Sequence, residues 1–169
     1  MKTLYIIGGT MGVGKTTTCQ ILKKRLDRAV FLDGDWCWDA DPFQVTDETK
    51  AMVMDNICHL IGNFLACSAY ENVIFCWVIH EQAILSDILS RLPKEGARVV
   101  AVSLIASAGA LTRRLKKDVQ SGLRNADVIE RSVLRLPMYD ALNTVKIDVS
   151  DITPEQAAER IAALTMTVE

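Results

Sequence analysis

The chain has 169 residues, half of them hydrophobic, and a formal net charge of −2 at neutral pH. That length suits one domain with a substantial core. It carries no block of like charge and no run of eighteen apolar residues, which argues against nucleic-acid binding and against a membrane span; a cytoplasmic protein is expected. The apolar start at Leu4-Tyr5-Ile6-Ile7 is too short for a signal peptide, because glycines cut it at once. Five cysteines, none spaced C-x-x-C, read as reduced thiols. Cys58 stands beside His59 without a second Cys/His pair, so it reads as a buried free cysteine.

The first strand is expected over residues 3–8. Directly after it comes Gly9-Thr10-Met11-Gly12-Val13-Gly14-Lys15-Thr16, a full match to G-x-x-x-x-G-K-[ST], the phosphate-binding loop. A helix is expected over residues 16–26, and strand, glycine turn and helix together are the context the motif requires. The glycines let the backbone turn tightly and bring its N–H groups close to phosphate oxygens. The loop then feeds a helix N-terminus, where free N–H groups and the dipole favour an anion. Lys15 is placed to reach the β- and γ-phosphates and the Thr16 hydroxyl to hold Mg²⁺, with Thr17 next to them in the nucleotide site.

A second strand is expected over residues 29–32, ending in Asp33-Gly34-Asp35. In an open α/β sheet ligands bind at the carboxyl ends of the strands, so these aspartates should face the phosphate site. One carboxylate would hold Mg²⁺ and the other would orient or deprotonate an attacking hydroxyl. On an extended segment, residues two apart point the same way and would share the site. The competing reading is a solvated Asp-Gly-Asp turn. Trp36 and Trp38 follow, with Asp39 and Asp41 nearby; the aromatics either stack on an acceptor or close the core under a long loop. The acidic cluster suits a neutral, hydroxylated or cationic acceptor better than a strongly anionic one.

Thr46 opens a helix to about residue 65 with an apolar stripe of Met54, Ile57, Ile61, Phe64 and Leu65. A third strand is expected over residues 72–79, a fourth over 98–104 and a fifth over 144–149. These runs are nearly continuously apolar, as in strands covered on both faces, and alternation with helices implies a parallel sheet. His80 and Glu81 follow the third strand, where an acceptor would lie. His80 reads equally as a substrate contact or a satisfied strand-end residue, and Glu81 leans towards a helix N-terminal carboxylate. Residues 109–139 are rich in charge, with Asn125 as the expected cap of one helix and Pro137 as its kink or end. Thr153-Pro154-Glu155-Gln156 gives a capping box with proline in the first turn, opening a final helix to about residue 164.

A phosphate loop near the amino end and an Asp-x-Asp ending strand two resemble the small P-loop kinases, among them the shikimate, gluconate and nucleoside-monophosphate kinases. Leu32-Asp33-Gly34-Asp35 looks most like gluconate and adenylyl-sulfate kinases. The resemblance spans the chain in length and element order. It implies an α/β three-layer sandwich, a five-stranded parallel sheet of order 2-3-1-4-5, and a helical lid at about 109–139 between strands four and five. Residue by residue it makes Asp33 a magnesium ligand and Asp35 the acceptor contact and base. Arg114 is similar to the arginine against adenine, and the order Arg114, Asp118, Arg124 makes Arg124 the lid arginine that neutralises the transferred group. The third strand lacks the Asp-Gly-Phe/Tyr-Pro-Arg segment of monophosphate kinases and the strand-end aspartate of motor ATPases.

The expectation is an ATP- (or GTP-) and Mg²⁺-dependent phosphotransferase acting on a hydroxyl or phosphate of a small molecule. Lys15, Asp35 and Arg124 would be catalytic, Thr16 and Asp33 would hold the metal, and Asp35, Trp38, His80 and Arg124 would meet the acceptor. The protein would be a monomer or homodimer. Two rivals remain: a nucleotide or nucleoside kinase, and a non-catalytic regulatory protein gated by ATP.

Overall fold

A computed structural model describes residues 1–93 and 96–165. Five strands form one parallel sheet: β1 (Lys2–Gly8), β2 (Ala29–Asp33), β3 (Asn72–Cys76), β4 (Ala97–Ile105) and β5 (Val145–Asp148). Their spatial order is β2-β3-β1-β4-β5, as the resemblance to the small P-loop kinases implies. Among the described residues six helices connect or flank them: α1 (Lys15–Arg25), α2 (Asp47–Ala66), α3 (Gln82–Arg91), α4 (Ala108–Gln120), α5 (Val128–Arg135) and α6 (Pro154–Ala163). Short 3₁₀ segments cover Gly34–Cys37 and Leu136–Ala141.

The layers follow from the period of two along each strand. Tyr5 and Ile7 of β1 join Val102 and Leu104 of β4 in a core closed by Cys19 and Leu22 of α1, Leu111 and Leu115 of α4, and Ile161 of α6. Leu4 and Ile6 point the other way, joining Val73 and Phe75 of β3 against Ile57 and Ile61 of α2 and Leu85 and Ile88 of α3. Both faces are covered, which is why the strands read as unbroken apolar runs. Each such buried leucine or isoleucine contributes roughly 1.5–3 kcal/mol of transfer free energy.

The helix starts show where sequence signals acted. Thr153 and Gln156 form the expected capping box of α6, with Pro154 in its first turn. Thr46 caps α2, and Thr49 completes the reciprocal pair where glutamate or glutamine is more usual. Of the expected α2 stripe, Ile57 and Ile61 are fully buried, while Met54, Phe64 and Leu65 are packed at its margin. Asn125 does not cap α5: Asp127 precedes its first turn without a side-chain cap, and only the Asn125 carbonyl contributes, accepting from the Val128 amide. Pro137 follows the end of α5 and opens the 3₁₀ segment.

Strand three is shorter than expected. It ends at Cys76, and Ile79 sits at φ +32°, so the chain has left the extended conformation before His80. The apolar run continues because Ile79 is needed in the core, where it is 3% exposed. Glu81 is the residue before α3, in keeping with its expected place at a helix N-terminus. Among the described residues, no helix is long and apolar enough to cross a membrane.

Candidate functional site

In-register pairing brings the site together. Ile7 pairs with Cys76 and Cys76 with Asp33, so β1 delivers the phosphate loop and β2 delivers Asp33 to the same carboxyl edge, two strands apart. The strand spacing makes that roughly 10 Å between backbones.

Within the loop, Gly9, Gly12 and Gly14 all have positive φ. Gly12 is the most demanding, because a Cβ there would meet Leu115 Cδ2 at 2.3 Å as well as sitting at φ +78°. Gly14 is the N-cap of α1, and that helix starts with no side-chain cap and no acid in its first turn. Its first N–H groups are therefore left for an external anion, the arrangement a phosphate needs. Space above Gly14 is open, with no atom within 4 Å of where a Cβ would stand. Lys15 folds over the loop and donates from Nζ to Thr10 O at 3.0 Å. Burial lowers the pKa of its ammonium group, while the carboxylates of Asp35 and Asp33 pull it back up.

Thr16 Oγ1 donates to Asp33 Oδ2 at 2.7 Å, and the other Asp33 oxygen accepts the Asp35 amide at 3.1 Å. Asp33 is 6% exposed. A hydroxyl and a buried carboxylate in contact, at the mouth of an anion cradle, form an oxygen-only donor set that would suit Mg²⁺, with phosphate oxygens and water completing its ligands if it were bound. Among the described residues no group of three or more His, Cys, Asp or Glu side chains is built to hold a metal by itself, so the phosphates are a necessary part of this fit.

Asp33 and Asp35 share the site for a different reason from the one expected. The chain turns at Gly34 into a 3₁₀ segment, with the Asp33 carboxylate as its cap, so the two residues do not lie on one extended strand. Both nevertheless line one cleft of about 330 Å³ with Met11, Lys15, Thr16 and Arg124. Asp35 has its pKa raised by burial and by the neighbouring Asp33 carboxylate; Lys15, the Trp77 indole and Arg124 oppose that rise. Trp77 Nε1 donates to Asp35 Oδ1 at 3.2 Å.

From the helical segment between β4 and β5, Arg124 reaches the same cleft and pairs with Asp118, Nε to Oδ2 at 3.2 Å. Arg114 also lines it, but its guanidinium is tied down: Nη1 donates to Val13 O at 3.3 Å, and Nη2 to Val149 O and to Ser150 O at 3.3 Å. A second, mainly apolar slot of about 150 Å³ adjoins it, lined by Gly14, Thr17, Arg114, Ile152, Pro154 and Ala157 among others. The slot adjoins the loop through Gly14 and Thr17, which line both spaces.

Two residues read from the sequence as acceptor contacts stand outside the cleft lining. Trp38 packs edge-on to Phe43 and Trp77, with ring centroids 4.9 and 5.9 Å apart. His80 is half-buried with Nε2 3.4 Å from Glu81. Its Nδ1 is buried without a hydrogen-bond partner, and burial followed by Arg135 lowers its pKa.

Sequence reasoning missed the residues that moor the loop to the helical segment. Thr10, fully buried, donates its hydroxyl to Ser132 O at 3.0 Å. Tyr139 donates its hydroxyl to Val78 O at 2.6 Å, and the same carbonyl accepts the Gly9 amide at 3.3 Å. Nothing local in the sequence pairs residue 10 with 132 or 139 with 78. The one available signal was a tyrosine just after a proline-marked helix end.

A parallel sheet of this order, with a glycine loop feeding α1 and an acidic end to β2, defines the P-loop fold of the small kinases. The chain belongs to the AAA domain family, whose model matches residues 6–133. No curated protein sequence matches it. Among solved structures it is similar to the Deinococcus radiodurans tunicamycin resistance protein, at 22% identity and a TM-score of 0.71, over 98% of this chain and 96% of that one. It is also similar to a gluconokinase from Sinorhizobium meliloti 1021, at 17% identity and a TM-score of 0.69, over 97% and 94% of the two chains. Shikimate kinase from Acinetobacter baumannii in complex with shikimate matches at 19% identity and a TM-score of 0.62, over 99% and 94%. Likeness at these identities speaks to the fold.

Proposed function

We propose that the protein is an ATP- and Mg²⁺-dependent phosphotransferase that moves the γ-phosphate to a hydroxyl, or phosphate, of a small molecule. The observation that carries this reading is the single cleft lined by Lys15, Thr16, Asp33, Asp35 and Arg124. The loop amides and Lys15 orient the triphosphate, and Arg114 with the apolar slot receives the base. Mg²⁺ held by Thr16 and Asp33 would neutralise charge across the β- and γ-phosphates. Asp35 orients the acceptor hydroxyl and takes its proton, for which a carboxyl with a raised pKa is a better base than a free one. Arg124 balances the charge on the group in transit, and α4 and α5 act as a lid that keeps water out.

The acceptor lies on the Asp35 side of the cleft, near Trp38 and the end of β3. The carboxylates that line the cleft, Asp33, Asp35 and Asp118, favour a neutral or cationic hydroxylated molecule. Structures of the same fold bear the names gluconokinase and shikimate kinase, which supports a small-molecule acceptor.

The test is an ATP-consumption screen over hydroxylated small molecules, nucleosides and nucleoside monophosphates, with mass spectrometry of any product. Wild-type protein should give a product heavier by one phosphate. Asp35→Asn should bind ATP normally and lose transfer. Unimpaired transfer by Asp35→Asn would remove Asp35 as the base. Phosphorylation confined to nucleosides or their monophosphates would establish the nucleotide-kinase reading instead. Tight ATP binding without any product would favour a nucleotide-gated regulator.

A further inference from the structure

Asp35, the residue assigned as base, keeps access to solvent while its carboxylate is partly desolvated, and two cations, Lys15 and Arg124, attract it. Left free, such a side chain collapses onto the nearer cation and is lost to chemistry. Its rotamer is set here by a residue from another strand. Trp77, the residue after β3, donates its indole N–H to Asp35 Oδ1 at 3.2 Å. That leaves Oδ2 as the oxygen for an incoming hydroxyl.

Trp77 is itself held from three sides. Its backbone amide donates to Ile7 O at 3.2 Å, which extends the β1–β3 pairing by one bond. One part of the ring lies directly on Gly34: a Cβ at that position would meet Trp77 Cγ at 2.6 Å, Cδ1 at 2.7 Å and Cβ at 3.0 Å. Another part meets Trp38 edge-on, with centroids 5.9 Å apart at 75°. Gly34 has no positive φ, so turn geometry does not demand glycine there; the demand comes from the indole.

We propose that Trp77 is a positioning residue for the phosphotransfer reaction, its indole N–H fixing the Asp35 carboxylate away from Lys15 and Arg124, and that Gly34 is glycine in order to seat it. This rests on the reading of Asp35 as the acceptor-side base. A misplacement of about 1 Å in a reacting group costs on the order of a hundredfold in rate, so the effect belongs in turnover rather than in nucleotide binding.

The experiment uses the full chain with Mg·ATP, water serving as acceptor, and compares wild type with Trp77→Phe, Gly34→Ala and Asp35→Asn. Trp77→Phe keeps an aromatic ring and removes only the donor. It should lower kcat for hydrolysis about ten- to a hundredfold with KM for ATP within about twofold, and Gly34→Ala should do the same by displacing the ring. A second readout needs no turnover. In ¹⁵N-labelled protein, Asp35→Ala should move the Trp77 indole N–H resonance and speed its exchange. Wild-type kcat in Trp77→Phe, or an indole resonance indifferent to Asp35→Ala, would overturn the proposal. If Asp35→Asn alone hydrolyses ATP normally, the base assignment falls and the positioning role with it. If Asp35→Asn is inactive while Trp77→Phe and Gly34→Ala are unaffected, only the positioning role falls.

Discussion

Thr10→Val isolates the contact that ties the phosphate loop to α5. The Thr10 hydroxyl is fully buried and donates to Ser132 O at 3.0 Å. Ser132 lies in the last turn of α5, where carbonyls run out of helical partners. The Leu136 amide, which would reach Ser132 O in a continuing helix, bonds to Val133 O instead. Valine keeps the shape of threonine and removes the donor, leaving a buried carbonyl stripped of that bond. Such a loss costs about 1–3 kcal/mol. For a chain of this size about 2 kcal/mol lowers Tm by roughly 4–8 °C. The loss is local, so amide exchange should accelerate first in α5 and the residues leading to Pro137, with the central strands following only through the drop in global stability. Calorimetry and hydrogen exchange on the unliganded protein measure the two effects. A Tm within about 1 °C of wild type, with α5 protection unchanged, would mean that the Thr10–Ser132 bond does not moor the loop.

Two further predictions concern the loop and the half-buried His80. Gly12→Ala combines a left-handed backbone, which costs a side chain about 1–2 kcal/mol, with a contact at 2.3 Å to the fully buried Leu115. It should therefore destabilise the protein and displace α4 as well as weaken ATP binding; a variant with unchanged Tm and affinity would contradict this. His80 has its pKa lowered from 6.5 by burial and by Arg135, so it is neutral at pH 7. Between the folded value and 6.5 the unfolded chain binds the extra proton, so stability falls as pH drops below the unfolded value. An NMR titration should place His80 below 6.5, and replacing it with asparagine should flatten the loss of Tm as pH falls below about 6.5; a titration above 6.5 would reverse the argument.

What the sequence disclosed was local or periodic. The phosphate loop, the capping box at Thr153 and the five apolar runs each carry their own signal, and they pointed to a parallel sheet; its strand order came from the resemblance to the small P-loop kinases. Apolarity alone misjudged the end of β3, since Trp77 and Ile79 are hydrophobic for reasons of packing after the strand has stopped. The pattern at Asp33 and Asp35 identified residues that share a cleft, yet the geometry assumed for them was wrong, because an aspartate can cap its own turn as readily as extend a strand. Asn125 was a good cap by type, but chain direction at residue 127 decided where α5 began. The moorings at Thr10 and Tyr139, and the role of Gly34, depend on partners more than forty residues away. No composition or spacing rule reaches that far.

The position of β1 at the centre of the sheet has a consequence in time. The first strand made must wait for partners that begin at Asn72 and Ala97. Its loop must wait as well: Gly9 lies so close to β4 that an added Cβ would meet Leu104 O at 2.9 Å, and Gly12 rests against Leu115 of α4. The phosphate cradle is encoded within the first sixteen residues, yet its walls arrive a hundred residues later. Parallel pairing over such distances is slow, so capacity to bind a triphosphate should emerge as one of the last events of folding, and a labelled nucleotide would serve as a clock for its completion.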